Sequence, residues 1–242
     1  MAIVLAQTLT AQSNINGDTT ALTASLTSVS VNDVVIVMAQ TWDAGTAAGT
    51  PSGGSQTYTR QITCAPGGFA GYATIFSATM AAGVASSFTL TLSAPAASSA
   101  HQLTVHRYTG AQLAATPATN QASYGGSGSS VPSSTITLAG ANSAISWCTN
   151  DASTTSPSTD AYISPAPSTP DLLVDGSTGA DGIFRYTHQF ATSSGSTSYG
   201  MTAPTTQKWV MCAIEIQAAA TASAPPRGPI VTRQAVQRAA NW

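Results

Sequence analysis

The chain alternates polar and apolar residues over short runs and has almost no helical periodicity. In TTALTASLTS the apolar Leu22, Ala24 and Leu26 share one face of a strand, while threonine and serine occupy the other. This period of two predicts a strand with one buried face. The run Val34–Ala39 is continuously apolar and rich in β-branched residues, which predicts a central strand covered on both faces.

The same patterns predict further strands, and clusters of Gly, Pro, Asn and Ser such as GTAAGTPSGGS and YGGSGSSVPSS mark the turns between them. These strands are Gln56–Thr63, Tyr72–Thr79, Phe88–Ser93, Leu103–Tyr108, Ser134–Leu138, Ala144–Cys148, Ile183–Phe190, Ser198–Thr202 and Trp209–Gln217.

Two parts of the chain repeat one order of elements. YATIFSATMAAG, FTLTLSAP and HQLTVHRYTG in the first half correspond to IFRYTHQFATSSG, SYGMTAP and KWVMCAIEIQ in the second. In each half an aromatic strand is followed by a turn that closes at Gly83 or Gly195. Two facing sheets produce such a pattern with or without a duplication. We therefore predict an all-β chain, a single jelly-roll-like β-sandwich over residues 1–217 with an extended C-terminal arm over residues 218–242.

Charge is scarce and unevenly placed. Charged residues make up 7% of the chain, against a usual value of about 25%. Residues 1–217 hold four basic and nine acidic side chains, whereas residues 218–242 hold three basic and no acidic ones. Nucleic-acid binding requires a basic patch that displaces counterions from phosphates, so we expect no nucleic-acid partner for the body.

Cysteine spacing and hydropathy disfavour zinc-binding, disulfide-rich, secreted and membrane proteins. Cys64, Cys148 and Cys212 match no zinc or redox spacing, and an odd number disfavours a complete disulfide framework. We interpret them as small buried apolar side chains. The start MAIVLAQTLTAQS lacks the basic and long apolar regions of a secretory signal. The longest apolar run is far shorter than a membrane span, so no membrane association is expected.

A resemblance emerges from these segments taken together. VNDVVIVMAQTW, the aromatic strand before Gly83, HRYTGA, the Pro- and Ser-rich middle and the closing WVMCAIEIQ occur in one order. This order resembles a β-sandwich domain that recurs in phage virion proteins, especially head-decoration and minor tail proteins. The resemblance covers nearly the whole body. It implies a structural role in the virion and supplies neither a catalytic residue nor a cofactor.

The three histidines are the first candidates for catalysis or metal binding. His101 and His106 lie five residues apart on one predicted strand, so they should point to opposite faces and cannot share an ion. His188 lies between Tyr186 and Phe190 on one strand face. A packed, hydrogen-bonded histidine is the preferred interpretation there. We accordingly predict no metal site and no cofactor.

Other candidate chemistry is equally sparse. The glycine-rich YGGSGSS around Ser127 lacks the spacing of a nucleophile elbow. Glu215 is the only glutamate, and we expect it near the solvated end of its strand and not in a catalytic carboxylate pair. The stretch DLLVDGSTGADG, with Asp171, Asp175 and Asp181, could coordinate calcium but matches no known loop, so a plain turn is preferred. We predict that the chain is not an enzyme.

Two aromatic residues are candidates for sugar binding. Trp42 and Tyr58 flank the long glycine-rich loop at residues 44–55. Loop aromatics of β-sandwiches often stack on sugars, so this loop is a possible platform. Because Trp42 ends a buried strand, packing against the core is the competing and preferred interpretation.

The last residues combine cations with an aromatic side chain. AAATASAPPRGP is typical of an extended linker, and TRQAVQRAAN is too short to form a stable helix by itself. Arg227, Arg233, Val236, Arg238 and Trp242 therefore form a predicted partner-binding set, in which the guanidinium groups pair with carboxylates and the aromatic ring anchors.

These observations lead to one expected function and one alternative. We expect a virion structural protein, a capsid-decoration or minor tail component, which assembles in the host cytoplasm. Its expected partners are other copies of itself and a major capsid or tail protein, in a homo-oligomeric assembly. The alternative is a carbohydrate-binding or adhesin module on a phage or cell surface. A hydrolase dependent on His188 or Glu215 is the least favoured possibility.

Overall fold

The chain folds into stacked antiparallel β-sheets. A computed structural model describes residues 2–13, 20–42, 47–65, 71–95, 100–125, 130–151, 160–164, 172–175, 183–203, 205 and 208–220. Within these ranges the regular elements are all strands, which confirms the prediction of an all-β chain. The strands are β1 (Val4–Ser13), β2 (Leu22–Leu26), β3 (Val34–Trp42), β4 (Thr59–Cys64), β5 (Gly71–Thr79), β6 (Phe88–Leu92), β7 (Ala100–Thr109), β8 (Ala111–Gln112), β9 (Thr119–Tyr124), β10 (Ser133–Leu138), β11 (Ser143–Asp151), β12 (Ala161–Tyr162), β13 (Leu172–Asp175), β14 (Ile183–Ala191), β15 (Gly195–Ala203) and β16 (Trp209–Ala218).

Two large sheets face each other across the main core. The first large sheet has the order β1-β7-β3-β5-β4. In the second large sheet the order is β13-β14-β11-β16, and β9 and β8 pair with successive parts of β16. Alternate side chains of each sheet meet in an inter-sheet core, consistent with the predicted β-sandwich. This core contains Val34, Ile36, Met38, Cys64, Ala73, Ile75, Ala100, Tyr108, Ala111, Ala144, Cys148, Tyr186, Val210, Cys212, Ile214 and Ile216.

A small sheet covers the outer face of each large sheet. The pair β2–β6 packs on the first large sheet, where Val35, Val37 and Phe76 meet apolar residues of the pair. The three strands β10-β15-β12 cover the second large sheet, where Ile145 and Trp147 are buried. Because both faces of the central strands are covered, β3, β11 and β16 contain almost no exposed residue. The hydrophobic run predicted to be a doubly covered strand is therefore confirmed.

The two halves of the chain share one strand topology. Counting β1 to β7 as one set and β9, β10, β11, β13, β14, β15 and β16 as the other, corresponding strands occupy corresponding places in both large sheets and both outer pairs. The turns at Gly83 and Gly195 both have positive φ angles, 84° and 102°. The repeated order of elements predicted from the sequence is thus present as repeated pairing.

Some strands were not predicted. The strands β8, β12 and β13 are very short, β9 is mostly polar, and β1 is half polar with only one buried residue; all five pair at sheet edges or ends. The segment Leu172–Asp175, expected to form a plain turn, instead pairs with β14. Edge strands bury little apolar surface, so their sequences carry a weak alternation signal.

Candidate functional site

A cluster of polar rings and hydroxyls lies inside the inter-sheet core. His106 Nδ1 lies 3.0 Å from Ser146 Oγ, and Tyr108 OH lies 2.7 Å from the same oxygen. The cluster forms because His106 and Tyr108 point inward from β7, and Ser146 points inward from β11 across the gap. The His188 ring packs edge-on against His106 at 5.8 Å.

The hydroxyl and imidazole in this cluster have the chemistry of a nucleophile and a base. A serine within hydrogen-bond reach of a histidine is the core of many acyl-transfer sites. Both Ser146 and His106 are fully buried, however, and the Tyr108 hydroxyl contacts the serine oxygen and lies 3.5 Å from His106 Nδ1. A substrate would have to displace the core to reach this oxygen, so the arrangement is best suited to fixing the two sheets in register.

The structure places the three histidines as predicted. His101 and His106 point to opposite faces of β7, and His101 Nε2 lies 2.9 Å from the carbonyl oxygen of Thr20. His188 packs against His106 and, at 5.4 Å, against Phe190. Across the described ranges, no group of three or more His, Cys, Asp or Glu side chains is arranged to hold a metal ion.

Glu215 fastens a turn and is not solvated. It is 1% exposed, which makes the expectation of a solvated strand end wrong. Its carboxylate accepts hydrogen bonds from the backbone of Ala139 and Gly140, at 3.1 and 2.9 Å, and from Ser143 Oγ at 2.6 Å. These three donors hold the turn between β10 and β11 against β16. The carboxylate is therefore saturated by neighbours, which explains why it can be buried without a cation.

A buried ion-pair cluster lies under β12. The Arg185 guanidinium binds Asp151 through Nη1 and Asp160 through Nε and Nη2, the last two at 2.5 and 2.8 Å. Burial by itself lowers the pKa of Arg185, but hydrogen bonds and charges from both carboxylates outweigh it and raise that pKa. Tyr162 donates to Asp160 at 3.2 Å. Burial, with the charge of Asp160, raises the Tyr162 pKa.

The three cysteines converge in the inter-sheet core. They are free and buried, which agrees with their interpretation as small buried side chains. Cys148 and Cys212 are register partners on β11 and β16, and Cys64 reaches them from β4. Burial raises the Cys148 pKa to about 12 and raises the Cys212 pKa well above its ordinary value. No pattern in the sequence indicates that these distant positions meet.

The two candidate sugar-binding residues lie on opposite faces of the first large sheet. Trp42 is half-buried and packs against the inter-sheet core. Tyr58 is 3% exposed and packs in the core beneath β2 and β6. Burial raises the pKa of Tyr58 to about 12. The two rings therefore do not form a common exposed platform, and sugar binding stays a prediction.

An apolar cavity of about 490 Å³ opens at one end of the inter-sheet core. Phe190, at 39% exposure, is one of its walls. Ile3, which packs against the inter-sheet core, and Ala218 at the end of β16 form others. The lining is completed by Ala2, Asn142, Ala191 and Thr192. None of the described residues that line the cavity is charged, so it suits an apolar group.

Several candidate residues lie outside the described ranges. These are Ser127, Asp171, Asp181 and the whole arm set Arg227, Arg233, Val236, Arg238 and Trp242. Their predicted roles stay predictions. Among the described residues, no helix has the length and hydropathy needed to span a bilayer.

The fold and these sites define an all-β protein built from stacked antiparallel sheets with many polar side chains in its interior. Comparison with models of protein families, with curated proteins and with solved structures found no match. The resemblance to phage virion domains therefore stays a prediction from the sequence.

Proposed function

We propose that this chain is a structural protein of a phage virion, a head-decoration or minor tail component. In this proposal the body is a jelly-roll-like sandwich, and residues 225–242 form an extended arm that docks onto a neighbouring copy. The exposed apolar cavity beside Ala218 carries the proposal. The support is the cavity's position, since the segment with the three arginines and Trp242 begins a few residues after β16 ends.

The chemistry of the cavity fits the apolar side chains of the arm. Its walls are mainly methyl groups and the Phe190 ring, and Trp242 and Val236 are the arm's large apolar residues. Arm arginines beside such an anchor would pair with carboxylates of the body, which carries an excess of acidic residues. An aromatic anchor surrounded by charged contacts is the usual composition of an interface hot spot.

The interior of the body also supports a structural role. Candidate reactive groups such as Ser146, His106 and Glu215 are buried and hydrogen-bonded to neighbours. Their contacts hold strands and turns together. A surface rich in hydroxyl groups and poor in charge allows identical copies to pack closely without repulsion.

Peptide binding tests the arm and its acceptor. A labelled peptide of residues 225–242 is titrated into the body truncated after residue 224, and anisotropy is measured. We expect saturable binding that is weakened at least tenfold by Phe190→Ser in the body or Trp242→Ala in the peptide. The exposed Lys208→Ala is the matched control and should leave the affinity unchanged.

Assembly provides the second test of the proposal. Particles made with the full chain and with the chain truncated after residue 224 are imaged, and the occupancy of the protein is compared. We expect the truncated chain to be absent from the particles. Full occupancy of the truncated chain, or equal peptide binding to the Phe190→Ser body, would contradict the arm.

A further inference from the structure

Two cysteine thiols cross the gap between the large sheets in opposite directions. Cys64, at the end of β4 in the first large sheet, donates a hydrogen bond to the carbonyl oxygen of Ala122 in the second, at 3.3 Å. Cys212, on β16 in the second large sheet, donates to the carbonyl oxygen of Ala73 in the first, at 3.2 Å. Each thiol therefore binds the backbone of the opposite sheet.

The strand registers place the two side chains beside each other. Ala73 is the register partner of Cys64, and Ala122 adjoins Gln121, the register partner of Cys212. Each thiol thus binds a carbonyl next to the other cysteine's backbone. Side chains that exchange places in this way must pass one another in the gap between the sheets.

The third cysteine has a different environment. Cys148 is the register partner of Cys212 in the same sheet. Burial raises its pKa to about 12. A bond between Cys148 and Cys212 would lie within one sheet and would not link the two large sheets. The candidate pair is therefore Cys64 and Cys212, whose thiols cross the gap between the two large sheets.

We propose that Cys64 and Cys212 are a dithiol site that a peroxide oxidises to one disulfide linking the two large sheets. Cys64 attacks a peroxide oxygen, forms a sulfenic acid and releases one water from hydrogen peroxide. Cys212 then attacks the Cys64 sulfur, and the S–S bond forms as the sulfenic hydroxyl leaves as a second water. Two thiols and one hydrogen peroxide give one disulfide and two waters, so atoms and electrons balance.

The electrostatics of the pair agree with these roles. The hydrogen bond from the Cys212 side chain lowers the pKa of Cys64, outweighing the opposing effect of burial. Burial, by contrast, raises the pKa of Cys212 well above its ordinary value. Cys64 is therefore the attacking thiol and Cys212 the resolving one. This inference does not depend on the proposed virion role.

Oxidation of the full chain in its native state tests the proposal. The purified protein is treated with hydrogen peroxide, and intact mass, peptide linkage and Tm are measured. We expect the loss of two hydrogen masses, a linked Cys64–Cys212 peptide pair and a rise in Tm of roughly 10 °C that dithiothreitol reverses. The rise is expected because the bond joins distant positions and restricts the unfolded chain.

Single variants separate this pair from the third cysteine. Cys148→Ala should keep both the mass change and the Tm rise, whereas Cys64→Ser and Cys212→Ser should abolish them. If a variant does not fold, the peptide linkage of the unchanged chain decides. A Cys148–Cys212 or Cys64–Cys148 linkage, oxygen addition without cross-linking, or reaction only in denaturant would each overturn the proposal.

Discussion

Arg185 is a fully buried cation whose charge is balanced by Asp151 and Asp160. Replacement by methionine preserves much of the volume but leaves two carboxylates without their cation. We expect Arg185→Met to lower the free energy of unfolding by about 3–5 kcal/mol. Chemical denaturation of the purified variant measures this loss.

A control for Arg185→Met distinguishes the effect of the unbalanced buried charge from the effect of losing an arginine side chain. Arg60 is exposed and lies over the Phe76 ring, so Arg60→Met should cost no more than about 1 kcal/mol. Adding Asp151→Asn and Asp160→Asn to Arg185→Met should recover part of the loss. No recovery would mean that packing, and not the unbalanced charge, is the cause.

Tyr58 links stability to alkaline pH. Burial raises its pKa from 10.0 to about 12 in the folded chain. Between these values the unfolded chain has lost the phenolic proton and the folded chain has kept it, so stability falls as pH rises. Tyr58→Phe removes this contribution. We expect the variant to lose stability less steeply over pH 10–12, by at most about 1.4 kcal/mol per pH unit.

The phenylalanine variant should be well tolerated at neutral pH. The Tyr58 hydroxyl is buried and has no hydrogen-bond partner among the residues that the structure describes, so its removal leaves no unpaired group there. Denaturation curves of both proteins at pH 7 and across the alkaline range provide the measurement. Identical slopes in the two proteins would contradict the raised pKa.

At the residue scale, the sequence predicted which positions are buried but not which side chains meet. The packing of His188 beside Phe190 follows from alternation along one strand. The contact between His106 and Ser146 joins strands from the two halves, and that proximity depends on how the sheets face each other. Glu215 was misjudged because its three donors come from a turn far away in the chain.

Among the elements, β15 depends on a glycine where it approaches the start of β10. Gly200 has a φ of 111°, and a Cβ added there would lie 2.3 Å from the carbonyl oxygen of Pro132. That oxygen accepts the backbone hydrogen bond of Met201. We expect Gly200→Ala to destabilise the protein by about 3 kcal/mol, because the residue is strained and the two strands must separate. Thermal or chemical unfolding measures the loss.

Gly195 is the matched control on the same strand. Its φ is 102°, but a Cβ there would meet no atom of the described part of the chain within 4 Å. Gly195→Ala therefore adds only backbone strain, and we expect a loss of about 1 kcal/mol. Equal losses for the two variants would show that the contact with Pro132 is unimportant.

The sequence predicted the central elements better than the edges. The strands β3, β7, β11 and β16 are buried on both faces or nearly so, and β3 and β16 contain long apolar runs. In β1 half of the residues are polar and in β9 most are, and nearly all residues of both strands are partly or fully exposed. Backbone pairing to a neighbour that is already in place forms these strands, and side-chain hydrophobicity contributes little.

For the whole molecule, the inter-sheet core predicts that the halves depend on each other. Separating the chain near residue 115 would expose the inward face of each large sheet, including Ile36, Ile75 and Ile214. An apolar patch of that kind promotes association. We expect either half expressed alone to aggregate or to lack cooperative unfolding, and the two co-expressed halves to copurify. Gel filtration and calorimetry measure this, and a monomeric, cooperatively folded half would contradict it.

The repeated order of elements was visible in the sequence, but its spatial meaning was not. Local patterns give strands and turns, whereas strand order depends on pairings between residues far apart in the chain, such as Val34 with Tyr108. Short-range alternation carries no information about such partners. The proposed function likewise rests on resemblance and composition. The contacts of the described residues explain how the fold is held together and do not identify a function.

The position of the cavity indicates how the molecule would be oriented if it were attached to a larger assembly near either end of the body. Ala2 and Ala218 line the same opening, so the polypeptide enters and leaves the body at one pole. Tethers at either end would therefore pull on the same side. A molecule held this way presents its far pole outward, where Trp42 and Asp151 end their strands.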